Sequence, residues 1–187
     1  MARRRDQILD AATACLLRTG LTGVSTAAIC AEAGLSMGAL YIHFKSKSDV
    51  LRALAERSAS NRRSTLKTED ATALRRALRD MVAAERSDQG KAISRVDLQF
   101  LSLKGEDDDF ASVIAALREN DDFADAVQEL ARRGELREGV DPKIAAATVE
   151  ALLMGFKVLS LMGDKHADAY QDALDLLLDG LLAKPAR

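Results

Sequence analysis

Apolar residues recur along this chain at spacings of three and four, the period of helices with one buried face. Ile8, Ala12, Cys15 and Leu16 make the first such stripe and predict a helix from about Arg4 to Arg18. Thr19-Gly20 ends it, because Gly leaves a helix readily in a left-handed conformation. After the connector Leu21 to Val24, Ser25 is a natural N-cap for a short helix, Thr26 to Ala33. Gly34-Leu35-Ser36 reads as a three-residue turn, and Ser36 as the cap of a third helix, Met37 to about Phe44. Ala33, Leu35 and Leu40 suit the small space between these two helices. Ser46-x-x-Asp49 has the form of a capping box, with Asp in place of Glu, and opens a helix from Ser48 to about Lys67.

Further helical patterns cover about 72–86, 91–104, 109–119 and 121–133. Gly134 stops the last of these, Asp141 caps the next helix and Pro142 suits its first position. That helix, to about Gly163, carries charges only at Lys143, Glu150, Lys157 and Asp164, seven apart. A helix apolar around most of its circumference is buried on more than one side, so one side requires a partner. A membrane span competes with this reading. Two charges inside the run, each costing ~2.5–3.5 kcal/mol near a bilayer centre, argue against it. The last helix, about Ala167 to Leu182, places Tyr170, Leu174, Leu177, Leu178 and Leu181 on one stripe, with Asp168, Asp172, Asp175 and Asp179 outside it. The fold class is therefore all-α, with about nine helices.

Composition narrows the function. Hydrophobic residues make up 48% of the 187 and aromatics 4%, a balance that favours helices over strands. Cys15 and Cys30 lie on apolar faces and read as small buried hydrophobes in a reducing, cytosolic setting. The opening Met-Ala-Arg-Arg-Arg-Asp has no apolar run behind it, so secretion is not indicated. The net charge of −2 conceals a division. Residues 1–67 hold 11 Lys and Arg against 5 Asp and Glu, and residues 68–187 hold 16 against 24. A basic head on an acidic body points to an anionic partner for the head. With His43 and His166 as its two histidines, the chain has no HExxH pattern, phosphate-binding Gly loop or Cys-x-x-Cys pair. No catalytic residue, metal ligand or cofactor is expected. The acidic run Glu106 to Asp109 lacks calcium-loop spacing and is expected to cap the helix after it.

Two short helices joined by a Gly-containing turn form a helix-turn-helix, whose second helix is the one offered to a DNA major groove. The run Ile8-Leu9-Asp10-Ala11-Ala12, then Gly20, then Ile29-Cys30-Ala31-Glu32-Ala33-Gly34-Leu35-Ser36, then Gly38-Ala39-Leu40-Tyr41-Ile42-His43-Phe44-Lys45-Ser46-Lys47 resembles the DNA-binding domain of the tetracycline-repressor (TetR) family. The detailed match spans about residues 4–60. The resemblance implies a helix-turn-helix domain at 1–47, a connecting helix at 48–67, and a helical ligand-binding and dimerisation domain at 68–187.

It also implies roles. Tyr41 and Lys47 bind phosphates, supported by Ser25, Thr26 and Ser36. Base reading falls to Met37, Gly38, Ala39 and Ile42, none of which makes a bidentate hydrogen bond to a base. Methyl contacts to thymine, backbone contacts and DNA shape therefore carry more of the recognition. Ala27 stands where the family often has Arg, and Ala28 where it often has an acidic residue. His43 fits either a phosphate contact or packing beneath the helix, beside the charge of Lys45; Phe44 is core. Arg3, Arg4 and Arg5 fit equally an arm along the DNA backbone or a solvated tail.

In the body, the resemblance implies a four-helix seam between two copies. It is built from Ala151, Leu152, Gly155 and Leu159 on one helix and Tyr170, Leu174, Leu177, Leu178 and Leu181 on the other. Asp97 falls inside the apolar arc of Ile93, Val96, Phe100, Leu101 and Leu103, where a carboxylate needs a partner. An internal ion pair is favoured; the alternative is a mainly apolar effector cavity lined by Met81, Asp97, Phe100, Phe110, Met154 and Phe156. The expected protein is a cytoplasmic homodimer that binds a palindromic double-stranded DNA operator and is released by a small-molecule effector. The alternative is a DNA-bound adaptor that recruits a protein partner and senses nothing.

Overall fold

The computed structural model describes residues 2–102, 122–163 and 167–183. Among the described residues there are nine α-helices, one 3-10 turn and no strand. The helices are α1 (Ala2–Gly23), α2 (Thr26–Ala33), α3 (Met37–Tyr41), α4 (Lys47–Leu66), α5 (Ala71–Ala84), α6 (Asp88–Ser102), α7 (Asp122–Arg132), α8 (Pro142–Leu161) and α9 (Tyr170–Leu181), the last preceded by the turn Ala167–Ala169. The helix expected over 109–119, the acidic run Glu106 to Asp109, Phe110 and His166 lie outside the described residues.

The chain forms two compact units. Residues 2–60 with 95–102 make the first, and 61–94 with 122–163 and 167–183 make the second. The first unit thus runs past residue 47, the boundary expected from the sequence. The reason is α4, whose Val50, Leu51, Ala53, Leu54 and Ala55 join the same core as Ile8, Leu9, Ala12, Ile29, Leu40 and Phe44. Cys15 and Cys30 are buried free thiols in that core.

Local hydrogen bonds set the helix ends. Ser25 Oγ accepts from the Ala28 N–H at 3.1 Å, and Ser36 Oγ from the Ala39 N–H at 3.2 Å. Gly34 is left-handed at φ 63°. Its N–H reaches Ala31 O and the Leu35 N–H reaches Cys30 O, the paired bonds of a Schellman stop. The same pairing recurs where α7 ends, from Gly134 to Ala131 and from Glu135 to Leu130. α3 is shorter than the expected Met37 to Phe44. Beyond Tyr41 the bonding mixes an i−3 step, His43 N–H to Leu40 O, with an i−4 step, Phe44 N–H to the same oxygen, so the chain tightens out of the helix. α6 starts earlier than residue 91, because Ser87 Oγ accepts from the Gly90 N–H at 2.9 Å and caps a turn that the periodicity does not mark.

In the second unit, α5 lays Leu74, Leu78 and Val82 against Val149, Leu153 and Phe156 of α8 and Tyr170, Leu174 and Leu178 of α9. Burying each large side chain is worth about 1.5–3 kcal/mol. Phe156 and Tyr170 stack, with centroids 4.3 Å apart and rings 12° from parallel. Arg75 of α5 ties two carboxylates of α9, Asp175 at 3.0 Å and Asp179 at 2.5 Å. Glu135 in the connector accepts from the Ala71 N–H at 2.6 Å, which anchors the start of α5. Asp141 caps α8 through the N–H groups of Lys143 and Ile144, with Pro142 in the first turn. By length and composition α8 would also pass for a membrane span, yet its Ala145, Ala146, Val149, Leu153 and Phe156 are buried against this unit's own helices.

Candidate nucleic-acid interface

The helix-turn-helix presents a coherent outer face. Ser25 and Ala27 at the start of α2 are exposed, as are Ser36, Met37 and Gly38 at the start of α3; Thr26 and Ala39 are half-buried. Ile42 is 76% exposed and Tyr41 50%, while Leu40 just before them is fully buried. An isoleucine so open has no packing role among the described residues. With Met37, it gives the face an apolar character suited to methyl and shape contacts. His43 is half-buried, Lys45 exposed and Phe44 buried, so the alternation across these three residues turns one side chain inward and leaves its neighbours at the surface.

Lys47 opens α4 as expected, but it is held. Its Nζ donates to Leu21 O at 3.3 Å, the side chain is half-buried, and burial lowers its pKa from the usual 10.5. The cap at this helix start also differs from a standard capping box. Ser46 Oγ accepts from the Asp49 N–H at 3.1 Å, while Asp49 Oδ2 reaches the N–H of Lys45, one residue beyond the N-cap, at 2.9 Å. A carboxylate therefore already occupies part of the α4 N-terminus.

Arg3, Arg4 and Arg5 form neither an extended arm nor a loose tail; they are the exposed first turn of α1. Gln7 Nε2 donates to Ala33 O at 2.8 Å and ties this turn to the end of α2. The Arg5 guanidinium lies 5.2 Å from the centre of the Phe44 ring, a cation–π contact that places a fixed positive charge beside His43, Lys45 and Arg52. Arg18 pairs with Glu32 at 2.9 Å across α1 and α2, and that carboxylate raises its pKa above the ordinary guanidinium value.

The structure bears on two expectations for the body. Tyr170, Leu174 and Leu178 are buried in the core of their own unit, and Leu174 is fully so. Leu177 and Leu181 are half-buried against the same core. The large outward side chain of α9 is Leu176, 77% exposed, which lies off the stripe that the periodicity marks. Ala151 and Leu159 of α8 are exposed, and Leu152 and Gly155 are half-buried.

The effector residues expected from the sequence are divided between the two units. Asp97 is half-buried in the first unit, whereas Met81, Met154 and Phe156 belong to the second. Phe156 is spent on its stack with Tyr170. The side chain of Phe100, like Phe110, lies outside the described residues. Ile93 is exposed, while Val96 of the same arc around Asp97 packs against the first unit's core. Among the α6 positions whose burial is described, Gly90 and Ser94 are buried, and the Ser94 hydroxyl donates to the Glu85 carboxylate. The second unit does hold a wholly apolar niche, lined by Phe123, Val127, Leu130, Val149 and Leu181 among others, and Met81, Met154 and Phe156 are not part of it. Among the described residues no group of His, Cys, Asp and Glu is arranged to hold a metal.

Comparison with known proteins identifies the family. Residues 8–54 match the family model for bacterial regulatory proteins of the tetR family, and residues 70–183 match that for the C-terminal domain of BetI-type transcriptional repressors. The chain is 30% identical over 186 residues to the HTH-type transcriptional repressor Rv1474c of Mycobacterium tuberculosis, covering 100% of this chain and 84% of that protein. A TetR-family regulator from Rhodococcus sp. superposes with a TM-score of 0.80 at 21% identity, over 98% of this chain and 100% of the other. The SmeT–triclosan complex superposes with a TM-score of 0.72 at 28% identity, over 98% and 93%. This chain belongs to the TetR family of bacterial transcriptional regulators.

Proposed function

We propose that the protein is a cytoplasmic homodimeric repressor that binds a palindromic operator through paired α3 helices and leaves it when a small molecule binds the second unit. The observation that carries this reading is the outer face of α8 and α9. Ile144, Thr148, Ala151, Gly155, Leu159 and Met162 recur at spacings of four and three along α8. Met162 is 76% exposed just past its end, and Leu176 stands out from α9. An apolar stripe with small residues at its centre, on a helix whose opposite face already fills its own core, is suited to a second copy related by a two-fold axis. Such symmetry would place the two reading helices on half-sites roughly 34–36 Å apart or a multiple of that.

The effector reading is supported by the triclosan held by a protein of the same fold. A ligand releases DNA only if it binds the free form more tightly than the operator-bound form.

The test is to select bound duplexes from a random pool with the purified protein and to measure the mass of the complex. A palindromic consensus bound by two chains is expected; a non-repeated site bound by one chain would refute the dimer. Metabolites that raise the melting temperature of the free protein are then titrated into the complex. Release of the duplex by one of them is expected, and binding unchanged by any of them counts against induction.

A further inference from the structure

We propose that Gln99 of α6 is a positioning residue for DNA binding, which holds the Lys47 ammonium at the phosphate-facing edge through the backbone of Leu21. The proposal rests on Lys47 being a phosphate contact, the reading given above, and adds the residue that fixes it.

Three observations meet at Leu21. The first is a break in α1. Gly20 has φ 67° and ψ −178°, inside what is otherwise helix. That region is open essentially to Gly alone. The break turns the Leu21 N–H out of the α1 ladder, so it needs an acceptor from elsewhere.

The second is that acceptor. Gln99 Oε1 takes the Leu21 N–H at 2.7 Å, from 78 positions along the chain. The carboxamide lies so close over Gly20 that a Cβ there would sit 2.9 Å from Nε2 and 3.0 Å from Oε1. The missing side chain at residue 20 therefore serves both the backbone conformation and the approach of Gln99.

The third is the other polar group of the same residue. Leu21 O accepts from Lys47 Nζ at 3.3 Å. The Leu21 side chain is itself buried in the first unit's core, so the residue has little freedom to shift without disturbing both bonds. Gln99, Leu21 and Lys47 form a chain of contacts from α6 to the first turn of α4. The burial that lowers the Lys47 pKa is a consequence of this seating.

A double-mutant cycle tests the link, with a duplex selected by the native protein and affinities read at several salt concentrations. Gln99→Met keeps the length of the side chain and removes the acceptor. We expect it to weaken binding about fivefold or more and to lower the salt slope by about one phosphate, ~0.9 in the log–log plot. In a Lys47→Met background the same change should cost less than about twofold, because its route is already gone. Additive losses, or native affinity in the single variant, would overturn the proposal. A readout free of DNA guards against a merely unfolded variant. In labelled protein, Gln99→Met should speed hydrogen exchange at the Leu21 amide and shift the Lys47 side-chain resonance. A Lys47 resonance left in place overturns the link. If the native protein shows no salt-sensitive affinity for any duplex, the phosphate contact itself fails, and the proposal falls with it even where the resonance moves.

Discussion

Lys47 stands under two opposing demands. A phosphate contact needs its charge, and its seat against Leu21 O partly desolvates that charge. The sign of the consequence follows from linkage. Folding lowers its pKa, so the unfolded chain binds the proton more tightly. The cost is fully present below the folded pKa and is relieved as pH rises through it towards the usual 10.5. Lys47→Met abolishes this titration. As pH rises towards the usual 10.5 the native protein should therefore gain thermal stability relative to the variant, in paired melting curves. The variant's duplex affinity should fall across all sequences alike, with the salt slope reduced by about one contact. Parallel melting curves across that pH range would refute the stability argument. At this scale, what is legible in the sequence is local. Ser25 and Ser36 bond to backbone three residues ahead, so their roles lie within a short window of letters. Gln99 is invisible there for the opposite reason: its partner is 78 residues away, and no periodicity reports on a side chain that caps a distant break.

At the scale of elements, hydrophobic spacing locates the helices and chemistry at their ends fixes the boundaries. α2 matches its expected span because its cap and its glycine stop are both explicit in the sequence. α6 does not, because the contacts at its start are not apolar. Its start is pressed against the end of α5, and Gly90 is the reason they fit: a Cβ there would lie 2.0 Å from Ala84 O and 2.8 Å from the Ala84 carbonyl carbon. Backbone cannot yield as a side-chain tip can. Gly90→Ala should destabilise the fold by about 2–3 kcal/mol, the upper part of the range for overpacking, despite the better helix propensity of Ala. Chemical denaturation measures this, and a variant as stable as the native chain would show that the two helices separate freely. Ser94, one turn further on, is fully buried on the Glu85 carboxylate; Lys157 lies 3.9 Å from that carboxylate, and Ser160 bonds to the Glu85 carbonyl at 3.3 Å. A polar cluster of this kind has no apolar period, which is why an arc drawn around Asp97 misses it. The core of α5, by contrast, reads straight from Leu74, Leu78 and Val82.

For the whole molecule, the question is which apolar side chains serve the subunit and which serve assembly. Helical period alone cannot separate them, because a stripe facing the core and one facing a copy have the same spacing. The resemblance places Leu174 and Leu178 on the seam and passes over Leu176, whereas in the single chain Leu174 and Leu178 are buried and Leu176 is exposed. The distinction makes a sharp prediction. Leu174→Ala removes a fully buried side chain and should cost about 2–5 kcal/mol of subunit stability. Gly155 faces open space: a Cβ added there would meet nothing within 4 Å in the single chain. Gly155→Leu should therefore leave the isolated subunit's helix content intact. On the proposed seam it holds two α8 helices apart, and the dimer should dissociate at concentrations at least about tenfold higher than in the native protein, a loss of roughly 1.4 kcal/mol or more. Because a dimer's melting temperature depends on concentration, both variants are compared across a dilution series by calorimetry and light scattering. Leu174→Ala should lower the melting temperature at every concentration, and Gly155→Leu chiefly change how steeply it depends on dilution. Duplex affinity should follow the second effect, since a palindrome held by one head loses the advantage of the linked second site. If Gly155→Leu remains as tightly dimeric as the native chain, the seam lies elsewhere on the second unit, and the half-site spacing argued from α8 loses its basis.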